Sequence, residues 1–115
     1  MGLTAEQVLP GGVKIARKRV TASYLVTLND YLIEINNGTT AASLTLPDAV
    51  TCPNQAFLLK RYSGTDTGNV FITSAGGQVQ SAAGTFAASQ GLSSSSSFRN
   101  ALYVSDGQDW LFCGV

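Results

Sequence analysis

Histidine is absent from this 115-residue chain. That removes the side chain best suited to proton transfer near neutral pH and the commonest metal ligand. Acid–base chemistry would fall to carboxylates, Lys or Tyr, and the two cysteines, Cys52 and Cys113, lack metal-type spacing, so zinc is not expected. Both are expected as buried thiols. Neither a Gly-x-Ser-x-Gly elbow nor a Gly-x-x-x-x-Gly-Lys phosphate loop occurs. The chain is read as non-enzymatic, with no cofactor and no metal. Charge is scarce too: only 12% of residues are Asp, Glu, Lys or Arg, about half the usual fraction. No apolar run approaches the roughly 20 residues of a membrane span. The start, Met1 to Glu6, has no basic segment followed by an apolar one, so no secretory leader and no membrane are expected, and synthesis is placed in the cytoplasm.

What is abundant is Gly, Ser, Thr, Ala and Asn among β-branched residues. A single domain of this length can bury a core, but so uncharged a surface suits a protein covered by partners, and oligomerisation is expected. The net charge is zero yet uneven. Residues 1–20 carry Lys14, Arg17, Lys18 and Arg19 against Glu6; residues 21–115 carry Lys60, Arg61 and Arg99 against Asp30, Glu34, Asp48, Asp66, Asp106 and Asp109. A basic front on an acidic body steers association even when the total vanishes. No aromatic residue lies between Met1 and Ala22, so the front lacks the interleaved stacking groups of a nucleic-acid site, and none is expected.

Short strands are predicted almost throughout. Thr4 to Leu9 is the one stretch with a helix start, truncated by Pro10; Pro10-Gly11-Gly12 then breaks the chain before an extended arm beginning Val13-Lys14-Ile15. Tyr24–Leu28 is a β-prone run. In Tyr31–Ile35, Tyr31, Ile33 and Ile35 alternate against Leu32 and Glu34. Asn37-Gly38 marks a tight turn before Leu44-Thr45-Leu46, which Pro47 stops. Residues 56–62 form the most apolar strand, and 70–73 the next after a polar loop. Val79, Phe86 and Leu92 mark short strands or anchors ahead of a serine run at Ser93–Ser97, read as a loop. Ala101–Ser105 and Asp109–Cys113 close the chain as a hairpin on an Asp106-Gly107 turn. The expected fold is all-β: an antiparallel sandwich, barrel-like or prism module over 21–115, with an N-terminal basic arm over 1–20. No fixed-period repeat emerges, which disfavours a regular solenoid.

Two groups of residues are candidate sites. The first is the arm, with Lys14, Arg17, Lys18 and Arg19 as electrostatic contacts and Val13, Ile15 and Val20 as apolar anchors for a partner. The second is the closing hairpin. There Tyr103 and Trp110 are candidates for a sugar-stacking platform, and Asp106 and Asp109 for sugar contacts or a hard cation; the competing reading makes Trp110 a core plug and both carboxylates turn residues.

The runs Tyr31–Asn37, Leu44–Ala49, Phe57–Arg61, Asn69–Ile72 and Val104–Trp110, with Leu-Thr-Leu-Pro and Ser-Asp-Gly-x-x-Trp in that order, resemble a pattern in small β-modules of tailed-bacteriophage virions. Such modules occur in tail and head fibres and in capsid decoration, or cement, proteins. The resemblance covers roughly residues 24–113 and implies a homotrimer. With no shaft repeat and only some twenty residues ahead of the module, it implies a decoration protein on the outside of a phage capsid. There it would bind the major capsid protein through its N-terminal arm and trimer base and stabilise the shell. The alternative it implies is a fibre module recognising cell-surface carbohydrate.

Overall fold

The computed structural model describes residues 14–92 and 99–114. The sequence expectations for Thr4–Leu9, Val13 and Ser93–Ser97 lie outside them. Among the described residues, eleven strands account for nearly all the regular structure: β1 (Arg17–Val20), β2 (Tyr24–Leu25), β3 (Leu32–Ile35), β4 (Ala42–Leu46), β5 (Ala56–Arg61), β6 (Val70–Ser74), β7 (Val79–Gln80), β8 (Phe86–Ala87), β9 (Ser89–Leu92), β10 (Asn100–Ser105) and β11 (Trp110–Phe112). A short 3-10 turn at Ala49–Thr51 follows β4; the Asp48 carboxylate caps it by accepting from Val50 N. One sheet runs β1-β3-β5-β10-β11-β7-β8 and the other β2-β4-β6-β9.

The fold is all-β, as the turn spacing implies, but its sheets are mixed rather than antiparallel. Through β6 the chain crosses from one sheet to the other at every strand, so neighbours within a sheet are parallel: β1 with β3, β3 with β5, β2 with β4, β4 with β6. Later pairs are mostly antiparallel, β5–β10, β10–β11, β6–β9 and β7–β8, with β7–β11 parallel. The Asn37-Gly38 turn explains the difference. Gly38 takes the left-handed φ of +59° that the dipeptide favours, yet the turn is a corner between sheets, so β3 and β4 never pair. Arg17, Leu32 and Leu58 stack in one sheet, and Tyr24, Leu44 and Ile72 in the other. Successive circuits differ in length, which is why no fixed period is visible in the sequence.

Alternation decides which side chains meet between the sheets. Ile33, Ile35, Phe57, Leu59, Ala101, Tyr103 and Trp110 face inward from the larger sheet onto Ala42, Leu44, Leu46, Val70 and Ile72 of the smaller one, all buried in one cluster. The closing hairpin seals one end: Trp110 is fully buried, its ring 5.6 Å from that of Phe57, and its Nε1–H donates to Pro47 O at 2.9 Å. At the opposite end of the strands the buried Arg61 guanidinium is the polar anchor. Its NH1 donates to Leu92 O at 3.0 Å, and its NH2 to Gly68 O at 2.9 Å, Asn37 Oδ1 at 3.3 Å and Asp66 O at 3.4 Å. One charged fork thereby ties the corner loops together without a direct carboxylate partner among these bonds.

Candidate functional site

The basic segment enters the body as β1, the edge strand of the larger sheet, from Arg17 onward. Leu32 N donates to Ala16 O at 2.9 Å and Asn36 N to Val20 O at 2.8 Å. By the alternation of a parallel ladder, residues 16, 18 and 20 turn their main chain toward β3, while the N–H and C=O of Arg17 and Arg19 face away from the sheet. The arm expected over residues 1–20 is therefore sheet over its last four. Val20 packs against the core, whereas Lys14 and Ile15, just ahead of β1, are exposed.

Each cation of β1 has a seat on the body. Arg17 Nε donates to Glu34 Oε1 at 2.7 Å, and Arg19 NH2 lies 3.4 Å from the same oxygen. The hydrogen bond from Arg17, against the opposing effect of burial and with the two guanidinium charges assisting, holds the Glu34 carboxyl below the usual carboxylate range. The Arg19 guanidinium also stacks on Tyr62, 3.6 Å from the ring centre. Lys18 points to the other face, its Nζ 4.9 Å above the Tyr24 ring. The Tyr24 hydroxyl donates at 2.7 Å to Asp30 Oδ2, which also accepts from Thr27 N and Thr27 Oγ1. Burial pushes the Asp30 carboxyl up, but those donors and the Lys18 charge outweigh it and hold the group low. The result is an orientated cationic edge: Lys14, Arg17, Lys18 and Arg19, with Glu34 the one carboxylate ion-paired among them within the described residues.

The seats of these cations are what sequence reasoning missed. Glu34 carried a signal, being a charge in an otherwise apolar alternating strand. Tyr24, Asp30 and Tyr62 carried none, because their role depends on which strands become neighbours.

The two rings of the second candidate group lie in the interior, and the sugar platform is corrected accordingly. Trp110 has no exposed face and Tyr103 is 2% exposed. The Tyr103 hydroxyl donates to Gln80 O at 2.8 Å, its ring meets Phe112 edge-on at 5.8 Å, and burial raises its pKa to about 12. Neither ring offers a surface for a sugar to stack on. The carboxylates hold turns: Asp106 Oδ1 accepts from Gln108 N at 2.9 Å and Asp109 N at 2.7 Å, and Asp109 Oδ1 from Gln78 N at 2.7 Å. Of the cysteines, Cys52 is buried as expected and Cys113 is exposed. Compared with known proteins, the sequence matches no family model and no curated protein.

Proposed function

We propose that this protein is a decoration protein of a tailed-bacteriophage virion, binding the outer surface of the capsid through its basic N-terminal edge and stabilising the shell. The observation that carries the reading is the cationic edge strand. Four cations lie along Lys14–Arg19, and the three on β1 are held in fixed positions by Glu34, Tyr62 and Tyr24. The partner this edge fits is an acidic protein surface, here the major capsid protein. Exposed Ile15 adds an apolar contact. The mechanism is mass action: a ligand that binds the assembled shell and not its dissociated subunits raises shell stability according to its affinity and free concentration, and many weak contacts on a symmetric lattice add up.

The edge also dictates the test. Removing residues 1–20 would strip β1 from β3, so charge reversal is the cleaner perturbation. Lys14→Glu together with Lys18→Glu leaves the Glu34 pairs intact. Co-sedimentation with capsids of the phage encoding the chain is expected to fall at least tenfold for this variant and to weaken with salt for the natural chain. Undiminished binding by the double variant defeats the proposal.

A further inference from the structure

Natural sheets protect a long edge strand by hanging charged side chains over its unpaired main chain. β1 carries the charges but draws them back over the body. Arg17 reaches inward to Glu34 of β3, and Arg19 to the same carboxylate and to the ring of Tyr62, whose N–H donates to Ile35 O of β3. Lys18 reaches the Tyr24 ring of the smaller sheet. The N–H and C=O groups of Arg17 and Arg19, which the parallel register turns away from β3, are thus left open along the edge, with no strand beside them among the described residues. Of the other edges, β2 and β8 are two residues long and β9 carries no charge.

We infer that β1 takes on an extended acidic segment of a partner protein as a further strand of the larger sheet, hydrogen-bonded to the main chain of Arg17 and Arg19. Three observations choose this occupant. The free groups are donors and acceptors together, which a peptide strand satisfies at once, whereas phosphates offer acceptors alone and leave the carbonyls without a donor. The charge is one-sided. Arg17 and Arg19 share the single Glu34 carboxylate, and their side chains stay 55% and 39% exposed, which leaves positive charge for a carboxylate placed across from them. The same charges disfavour a second copy of this edge, since pairing β1 with β1 sets Arg17, Lys18 and Arg19 against like cations. Alternation fixes the pattern of the incoming strand. Positions on the face of Arg17 and Arg19 suit Glu or Asp, and the alternate positions, beside the Lys18 stem and half-buried Val20, suit an aliphatic residue. The inference rests on the capsid reading for the identity of the partner, but the mode of contact is tested without a capsid.

The probe is the acetylated and amidated peptide Ser-Glu-Val-Glu-Val-Glu-Ser, titrated into the full chain with amide hydrogen exchange followed by NMR. Binding is expected below ~1 mM, weakened about tenfold or more when lysine replaces the glutamates. The Arg17 and Arg19 amides should exchange freely in the chain alone and become protected by the peptide. N-methylation separates strand pairing from charge attraction. Methylating the backbone nitrogens of the glutamates or of the valines blocks opposite edges of the peptide, so one pattern should abolish binding and the other spare it. On the protein, Arg19→Pro removes an N–H that faces away from β3 and leaves the β1–β3 ladder its bonds. It should weaken binding about tenfold more than Arg19→Ala, with cooperative thermal unfolding retained. The methylated peptides decide the matter even where Arg19→Pro fails to fold. Absence of binding, an equal response to both methylation patterns, or Arg17 and Arg19 amides left unprotected overturns the inference. Binding of an oligothymidylate at least as tight as that of the peptide overturns it in favour of nucleic acid. Capsid binding lost in the Lys14→Glu, Lys18→Glu variant but kept in a folded Arg19→Pro overturns this mode of contact alone and leaves the capsid reading standing.

Discussion

Trp110→Phe isolates what the closing hairpin contributes to stability. The substitution keeps an aromatic ring beside Phe57 but removes the Nε1–H bond to Pro47 O. Losing that bond and leaving the carbonyl without its donor costs about 1–2 kcal/mol. The smaller ring leaves roughly 40 Å³ unfilled at a site with no solvent exposure, which at ~24 cal/mol per Å³ adds about 1 kcal/mol. The expected loss is thus about 2–3 kcal/mol, a large share of the ~5–15 kcal/mol that holds a domain together. Trp110→Ala should cost more, about 3–5 kcal/mol. Urea unfolding followed by far-ultraviolet circular dichroism is the assay, because Trp110 is the sole tryptophan and the variants have no indole emission. In the natural chain the same indole should be inaccessible to acrylamide quenching. A Trp110→Phe cost below about 0.5 kcal/mol, with an unchanged urea dependence, would refute the sealed-plug reasoning.

Three further outcomes follow from particular groups. Burial raises the Tyr103 pKa to about 12, so the unfolded chain releases this proton first as pH rises. Stability is complete below pH ~10 and is lost by roughly 2–3 kcal/mol as pH climbs toward 12, a loss that Tyr103→Phe should lack in alkaline urea titrations. Arg61→Met takes the guanidinium donor from the carbonyls of Leu92 and Asp66 in the interior, while Gly68 O keeps the Asn37 Nδ2 donor, and should cost about 3 kcal/mol or more in urea unfolding. Glu34→Gln should cost at most about 1 kcal/mol because Arg17 and Arg19 are substantially exposed. Since the Glu34 pKa is depressed, its contribution is present at neutral pH and fades as pH falls through that lowered value. Thermal melts of variant and natural chain should converge in acid and in ~1 M salt.

Much of the strand inventory was legible in the sequence because alternation is a local property. Ile33 and Ile35 on the core face with Leu32 and Glu34 on the opposite one, the stop at Pro47, and the Asp106-Gly107 hairpin all follow from period-two patterning and turn chemistry. Strand pairing was not legible, because Asn37-Gly38 specifies a tight turn and not whether the next strand lies beside β3 or across the core. The same gap hid the seats of the arm cations. That Arg17 would meet Glu34 depends on a parallel register between β1 and β3 that no local signal encodes. At Trp110 and Tyr103, composition left core plug and exposed platform both open. Burial decides between them, and it is a property of the assembled sheets.

The central claim, that a basic edge seats this protein on a capsid and stabilises the shell, is tested most directly by the heat resistance of the shell itself. Expanded capsids should be heated with increasing amounts of the natural chain and of the Lys14→Glu, Lys18→Glu variant, and disassembly followed by light scattering. The disassembly temperature should rise with the concentration of the natural chain and saturate, with the variant shifting the curve to at least tenfold higher concentration. A capsid whose disassembly temperature does not move at any concentration of the natural chain would contradict it.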